Sequence, residues 1–241
     1  MIFSFSSPIL LITSLSVIIL HVAANTEKVI FTAPDVANIP VQSPTLRDLQ
    51  LHLLSPDDPL VRANLTRVFP TQPGDAATGA ATWLLLDHLT PSQRYELRVC
   101  WAAIQPTAFA LDVYELDTVW STPELIRSLE EYASKRQAVS GADQEHLPRE
   151  QGERQSSVLL LQVRASADYF TDDAALMKTP PPVLADLILD PYFYNVIPQS
   201  LIPTIGYLVA VGLLAWFGAR SIASKLQSIA ITAESATKKQ N

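Results

Sequence analysis

Nineteen consecutive residues, Leu201 to Ala219, carry no charge, and this run constrains the chain more than any other. At about 1.5 Å per residue a helix of that length reaches about 28 Å, close to the hydrocarbon thickness of a bilayer. A core helix of a soluble domain would show a polar face, and this run has none. Tyr207 and Trp216 suit the two membrane interfaces. Residues 220–241 then hold Arg220, Lys225, Lys238 and Lys239 against Glu234 alone, the balance of a cytosolic tail.

The opposite end agrees with that topology. Ile9 to Val22 is apolar, and Val22 and Ala24 are small enough for the positions that signal peptidase requires. Cleavage is expected after Ala24; Met1 to Pro8 lacks a basic n-region, and the rival reading is an uncleaved N-terminal anchor. Lys238 and Lys239 stand fourth and third from the carboxyl end, the spacing of the dilysine signal that coat proteins read to return type I membrane proteins to the endoplasmic reticulum. The expected product is a single-pass type I protein of the endoplasmic reticulum membrane. Residues 1–24 are its signal peptide, 25–179 a lumenal domain, 180–200 a juxtamembrane segment, 201–219 the transmembrane helix and 220–241 the cytosolic tail.

Composition follows these divisions. The whole chain has net charge −7; residues 25–200 hold 13 basic against 23 acidic side chains, giving −10. An acidic domain has no electrostatic case for nucleic acid, which is bound largely through Lys and Arg on phosphates. About 175 residues suffice for one domain with a proper core. Cys100 is the only cysteine, so no internal disulfide is possible, and it is read as a buried strand residue. Asn64-Leu65-Thr66 is a glycosylation sequon in a loop-like, polar setting.

Strand signals dominate the lumenal part. Val29-Ile30-Phe31 stops at Pro34, and Thr82 to Leu86 stops at Asp87-His88. Tyr95, Leu97, Val99 and Trp101 alternate with Glu96, Arg98 and Cys100, the period of a strand with one buried face. Phe109, Leu111 and Val113, continuing to Tyr114 and Leu116, follow a turn at Gln105-Pro106, and Val158 to Val163 reads as a fully buried strand. Short strands between Pro-bearing turns predict a mainly β fold, an antiparallel β-sandwich with one or two accessory helices. Leu89-Thr90-Pro91 before Tyr95 resembles the tyrosine corner of fibronectin- and Ig-like sandwiches. Thr122 to Arg136 predicts a helix capped by Thr122, with Pro123 first and Leu125, Ile126, Leu129, Tyr132 and Ala133 on one face. Residues 138–157 read as a solvated polar loop.

Pro180-Pro181-Pro182 stiffens the approach to the membrane, and Tyr192-Phe193-Tyr194-Asn195 follows. These rings either sit at the headgroups or complete the core at the membrane end. Tyr192, Phe193, Tyr194 and Asn195 are the candidate partner-binding residues. No catalytic, cofactor or metal set is read. His52, His88 and His146 lie in apparent loops without ligand spacing, Asp57-Asp58 and Asp172-Asp173 suit turns or caps, and Ser156-Ser157 lacks the glycines of a nucleophile elbow.

The start Ala24-Asn25-Thr26-Glu27-Lys28, the strand Tyr95 to Ala103 running into Gln105-Pro106-Thr107, the step Thr122-Pro123-Glu124-Leu125, and Ile188-Leu189-Asp190-Pro191 through Asn195, Pro198, Pro203 and Gly206-Tyr207 resemble the fungal GPI-mannosyltransferase II co-activator family. That resemblance implies a non-catalytic, essential subunit of the endoplasmic reticulum. Its partner would be the multi-spanning mannosyltransferase that adds the second mannose to the glycosylphosphatidylinositol precursor. No family site residues carry over. The alternative is a cargo or sorting receptor cycling between endoplasmic reticulum and Golgi, which would share the topology. Such receptors commonly use a lumenal disulfide and a heptad stalk; one cysteine forbids the first, and the prolines from Pro180 to Pro198 forbid the second.

Overall fold

A computed structural model of the chain describes residues 25–39, 46, 49–71, 76–140 and 154–238. The expected signal peptide, His146, Lys239 and most of the polar loop fall outside them. Ten strands among the described residues form two sheets. The first runs β1 (Asn25–Thr32), β6 (Arg94–Trp101), β9 (Val183–Phe193) and β4 (Leu60–Leu65), with the two-residue β10 (Ile197–Pro198) folded back on the end of β9. In the second, the long β8 (Arg154–Ala167) has β5 (Ala80–Leu89) on one edge. Its other edge takes β2 (Ala37–Ile39) and β7 (Thr107–Tyr114) in tandem. Beyond β5 lies β3 (His52–Leu54), parallel to it, so the pairing is mixed and not wholly antiparallel as expected.

Alternation decides what each sheet buries. Leu97 and Val99 of β6 and Ala185, Leu187 and Leu189 of β9 point inward. They meet Leu84 and Leu86 of β5 and Leu159, Leu161 and Val163 of β8 in one core. Trp83, Leu85, Val158 and Leu160 face the other way and are covered by α1 (Leu116–Ser121) and α2 (Pro123–Ser140), chiefly through Val119 and Leu129. Both faces of the second sheet are therefore dry, which is why β5 and β8 read as continuous apolar runs. Each fully buried Leu contributes roughly 1.5–3 kcal/mol. Ser128 Oγ accepts from Trp83 Nε1 at 3.1 Å and from Gln162 Nε2 at 3.2 Å, which fixes α2 over the sheet.

Several expectations need correction. Val183–Phe193 is part of the domain and not of a juxtamembrane segment: β9 is an interior strand between β6 and β4, and its Val183, Ala185, Leu187 and Leu189 lie in the inter-sheet core. The three prolines precede it at the end far from the terminal helix, where buried Arg67 donates from Nε to Pro181 O at 2.6 Å. Thr82–Leu86 does not stop at Asp87 but continues to Leu89 through a bulge, with His88 at φ 55°. Leu116 begins α1 instead of extending β7, and Thr122 is the C-cap of α1 as well as the residue before α2. Strand β8 starts at Arg154, inside the expected polar loop. His52 lies in β3 and His88 in β5, not in loops, and Asn64 lies in β4. Cys100 is in its expected strand but only half-buried, its Sγ 3.6 Å from Thr26 Oγ1. After the short α3 (Ala174–Lys178), the terminal helix α4 (Ile202–Lys238) runs far past Ala219, so most of the expected tail is helical.

Candidate functional site: the hairpin beside the anchor

Among the described residues no helix covers the outer face of the first sheet. Across it the register sets Ile30, Glu96 and Asp190 in one row and Lys28, Arg98, Ile188 and Leu60 in the next. Thr26, Cys100, Asp186 and Arg62 form the third row. Most of these outward positions are polar, with Ile30, Leu60 and Ile188 among them, so this face is wet along most of its length. Near β10, however, Glu96 and Asp190 are 4% and 5% exposed. A carboxylate out of water must be paired. Glu96 Oε2 accepts from Lys28 Nζ at 3.1 Å and from Tyr192 Oη at 3.3 Å, and Glu96 Oε1 lies 3.6 Å from Arg98 Nε. Asp190 Oδ2 accepts from Arg98 Nη2 at 3.3 Å and from Ser200 Oγ, while its Oδ1 accepts from Ser200 N at 3.2 Å.

The Ser200 contacts join the domain to the terminal helix. Ser200 sits in the 3-10 turn Gln199–Leu201 that opens into α4, where backbone N–H groups lack helical partners and carry the positive end of the dipole. A carboxylate from the sheet satisfies one of them. Pro203, second in α4, lacks the N–H that would otherwise be another unmet donor there.

Between β9 and β10 the chain turns on Tyr194 (φ 50°) and Asn195 (φ 58°), with Val196 N donating to Phe193 O at 3.2 Å. Two successive left-handed residues make a type I′ turn, which Asn tolerates and Tyr resists. Strain of this kind costs on the order of 1–3 kcal/mol and persists only where surroundings enforce it. Here Asn195 does so: Oδ1 accepts from Arg94 N at 2.8 Å and Nδ2 donates to Ser92 O at 3.0 Å. Gln93 Nε2 donates to Tyr192 O at 3.2 Å. The 90–95 corner itself is held by Tyr95 Oη, which accepts from Thr90 N at 3.0 Å and donates to Gln93 Oε1 at 3.1 Å.

The four partner-binding candidates therefore divide. Tyr192 is buried, its ring 5.2 Å from the Arg94 guanidinium; burial first, then the Glu96 carboxylate, push its phenol above the ordinary value. Asn195 spends its amide inside the domain. Phe193 and Tyr194 are 53% and 83% exposed, edge to face at 4.4 Å, and Val196 beside them is 71% exposed. Of the aromatic run, Tyr192 packs into the domain, whereas the rings of Phe193 and Tyr194 stand outside it. The locking roles of Asp190 and Ser200 could not be singled out from the sequence, where the two look like ordinary turn residues.

Asn64 is exposed on the outer face of β4, opposite Leu184. Beside it Arg62 makes a paired contact with Asp186 (2.6 and 2.8 Å), whose hydrogen bonds hold the Asp186 carboxyl below its usual range. Lys238 is the last residue of α4.

One polar cluster escaped the sequence reading. At the β5 bulge, Asp87 is 2% exposed and accepts from Ser156 Oγ at 2.6 Å, His88 N at 2.7 Å and Arg154 Nη2. Burial pushes its carboxyl up, and these three donors outweigh that and bring it below the ordinary value. Ser, His and Asp are all present, but Ser156 donates to Asp87 and not to His88, whose Nε2 faces Arg154 Nη1 at 3.3 Å. A hydroxyl so engaged has no imidazole base; the cluster supports the bulge. Among the described residues no three His, Cys, Asp or Glu side chains converge as a metal ion needs.

From Gln199 to Ile229 the terminal helix is long and apolar enough to cross a membrane, and it is nowhere buried against the domain. Compared with family models, curated proteins and solved structures, the chain matches none.

Proposed function

We propose that this chain is a non-catalytic, membrane-anchored subunit of the endoplasmic reticulum complex that adds the second mannose to the glycosylphosphatidylinositol precursor. Its β-domain stands in the lumen, and the Phe193–Tyr194–Val196 tip and the anchor dock onto the multi-spanning catalytic subunit. The observation that carries this reading is the tip itself. Two exposed rings on a strained turn are fixed by Asn195 and Asp190 to both the domain and the start of the membrane helix. A surface preorganised this way binds without first ordering itself, and aromatic residues are the commonest anchors of protein interfaces. The buried acids, by contrast, are spent on internal bonds, as suits a scaffold. A fibronectin- or Ig-like sandwich is the fold reading favoured by the Tyr95–Thr90 corner and the shared core of the two sheets.

The test is co-purification of the full-length chain with a tagged catalytic subunit in mild detergent. Phe193→Ser with Tyr194→Ser should release the partner while leaving the melting of the β-domain intact, because neither ring is buried. Undiminished recovery removes the tip from the interface.

A further inference from the structure

We infer that Asn64 carries an N-linked oligosaccharide, and that this glycan covers the free edge of the first sheet along β4. The inference rests on the lumenal orientation proposed above. Asn64-Leu65-Thr66 is the single Asn-x-Ser/Thr triplet of the chain. In an extended chain residues two apart point to one side; Asn64 and Thr66 are both exposed, and Leu65 between them is buried. Amide and hydroxyl therefore stand together on the outer face, the pair that an oligosaccharide transferase reads. Among the described residues neither side chain makes a hydrogen bond, whereas Asn195 spends its amide on Arg94 and Ser92.

The topology keeps this triplet open while the chain is being made. Among the described residues β4 pairs with β9 alone, and Arg62 and its partner Asp186 on that ladder are 124 residues apart. Until β9 has entered the lumen, β4 has no strand beside it and its sequon is extended and accessible. The co-reactant is an oligosaccharide joined through diphosphate to a lipid. The Asn64 amide nitrogen bonds to the anomeric carbon of the first sugar as that carbon's bond to the diphosphate oxygen breaks. The lipid diphosphate leaves, and the amide gives up one proton.

Once the sheet has closed, the glycan sits where cover is needed. No strand among the described residues pairs with the outer edge of β4, and unpaired edge N–H and C=O groups template the addition of another chain. Leu184, 45% exposed, stands directly opposite Asn64, their Cβ atoms about 5 Å apart. A glycan is bulky and solubilising, and from Asn64 its first sugars lie over Leu184 and the edge beside it. Along β9, Leu184 and Phe193 are about 30 Å apart at about 3.3 Å per residue. The Phe193–Tyr194 tip thus stays clear for the partner.

The test uses the full-length chain in native membranes and its gel mobility before and after endoglycosidase. Wild type should gain one step of mobility on digestion, and Asn64→Gln and Thr66→Ala should run with the digested band untreated. Two control sequons separate the possible failures: one at the end of α2 (Ala138→Asn with Ser140→Thr) and one in the tail (Ser235→Asn, with Ala236 and Thr237). Undigestible wild type overturns the inference. If the α2 control is then glycosylated, the lumenal orientation stands and the Asn64 glycan alone falls; if only the tail control is, the orientation falls with it. Cover is read separately, on Leu184→Cys in a Cys100→Ser background treated with a maleimide of polyethylene glycol. Labelling should be several-fold faster after endoglycosidase or with Asn64→Gln added, and equal rates would overturn the shielding.

Discussion

Asp190→Ala should uncouple the β-domain from its anchor. The carboxylate is 5% exposed, accepts from the Ser200 N–H at 3.2 Å and from Ser200 Oγ, and pairs with Arg98 Nη2 at 3.3 Å. Bonds to a charged group contribute roughly 1.5–3 kcal/mol each. Ser200 is exposed and Arg98 partly so, and water recovers a share of all three bonds on substitution. The loss is therefore about 2–4 kcal/mol, below the simple total. Ser200→Ala deletes only the hydroxyl bond and should cost about 1 kcal/mol. The two substitutions act on one contact, so the double variant should fall short of their combined cost by about 1 kcal/mol. Urea unfolding of the full-length chain in detergent micelles, followed by tryptophan fluorescence, gives the free energies; Trp83 and Trp101 report the β-domain. Limited proteolysis between Pro198 and Pro203 gives a second reading, with faster cleavage in Asp190→Ala. Additivity within about 0.5 kcal/mol together with unchanged cleavage would refute the lock.

Three further outcomes follow from named contacts. Asp87 has a carboxyl value depressed in the folded state, so its contribution is full above the unfolded value of about 3.9 and is lost as pH falls through the folded value; the melting difference between wild type and Asp87→Asn should be constant from pH 7 to about 5 and close in more acid solution. Tyr95→Phe removes both hydroxyl bonds of the corner and should cost about 1–2 kcal/mol in urea titration. Gly79→Ala would put a Cβ 2.6 Å from the Ala165 carbonyl carbon and oxygen, backbone atoms that must move, and should lower stability by about 1–3 kcal/mol in the same titration.

The sequence made some of this legible and hid the rest for physical reasons. Strand β6 was plain because one of its faces is dry and the other wet, so Tyr95 to Trp101 alternate. The helix at Pro123 was plain because its start signal and apolar stripe coincide. Strand β9 was not, although Val183, Ala185, Leu187 and Leu189 alternate perfectly: the outward positions include Leu184 and Ile188, and prolines bracket the run, so the period is masked. The first residues of β8 include Arg154, Ser156 and Ser157, whose polarity is used by Asp87 and by Pro34 O, a demand invisible until the strands are paired. The extension of α4 was read as a tail because Arg220 and Lys225 end the apolar run, whereas the Ala-rich sequence beyond them keeps the helix going. As for the candidate site, the aromatic run was visible, but which of its rings is spent inside the domain depends on Glu96, 96 residues away from Tyr192.

The claim that this chain supports addition of the second mannose is tested most directly by the lipid profile of cells depleted of it. Cells re-supplied with the wild-type chain should have normal intermediates. Depleted cells, and those re-supplied with Phe193→Ser/Tyr194→Ser, should accumulate glycosylphosphatidylinositol bearing one mannose. A normal profile in depleted cells, with cargo leaving the endoplasmic reticulum late, would contradict the account and favour a sorting receptor.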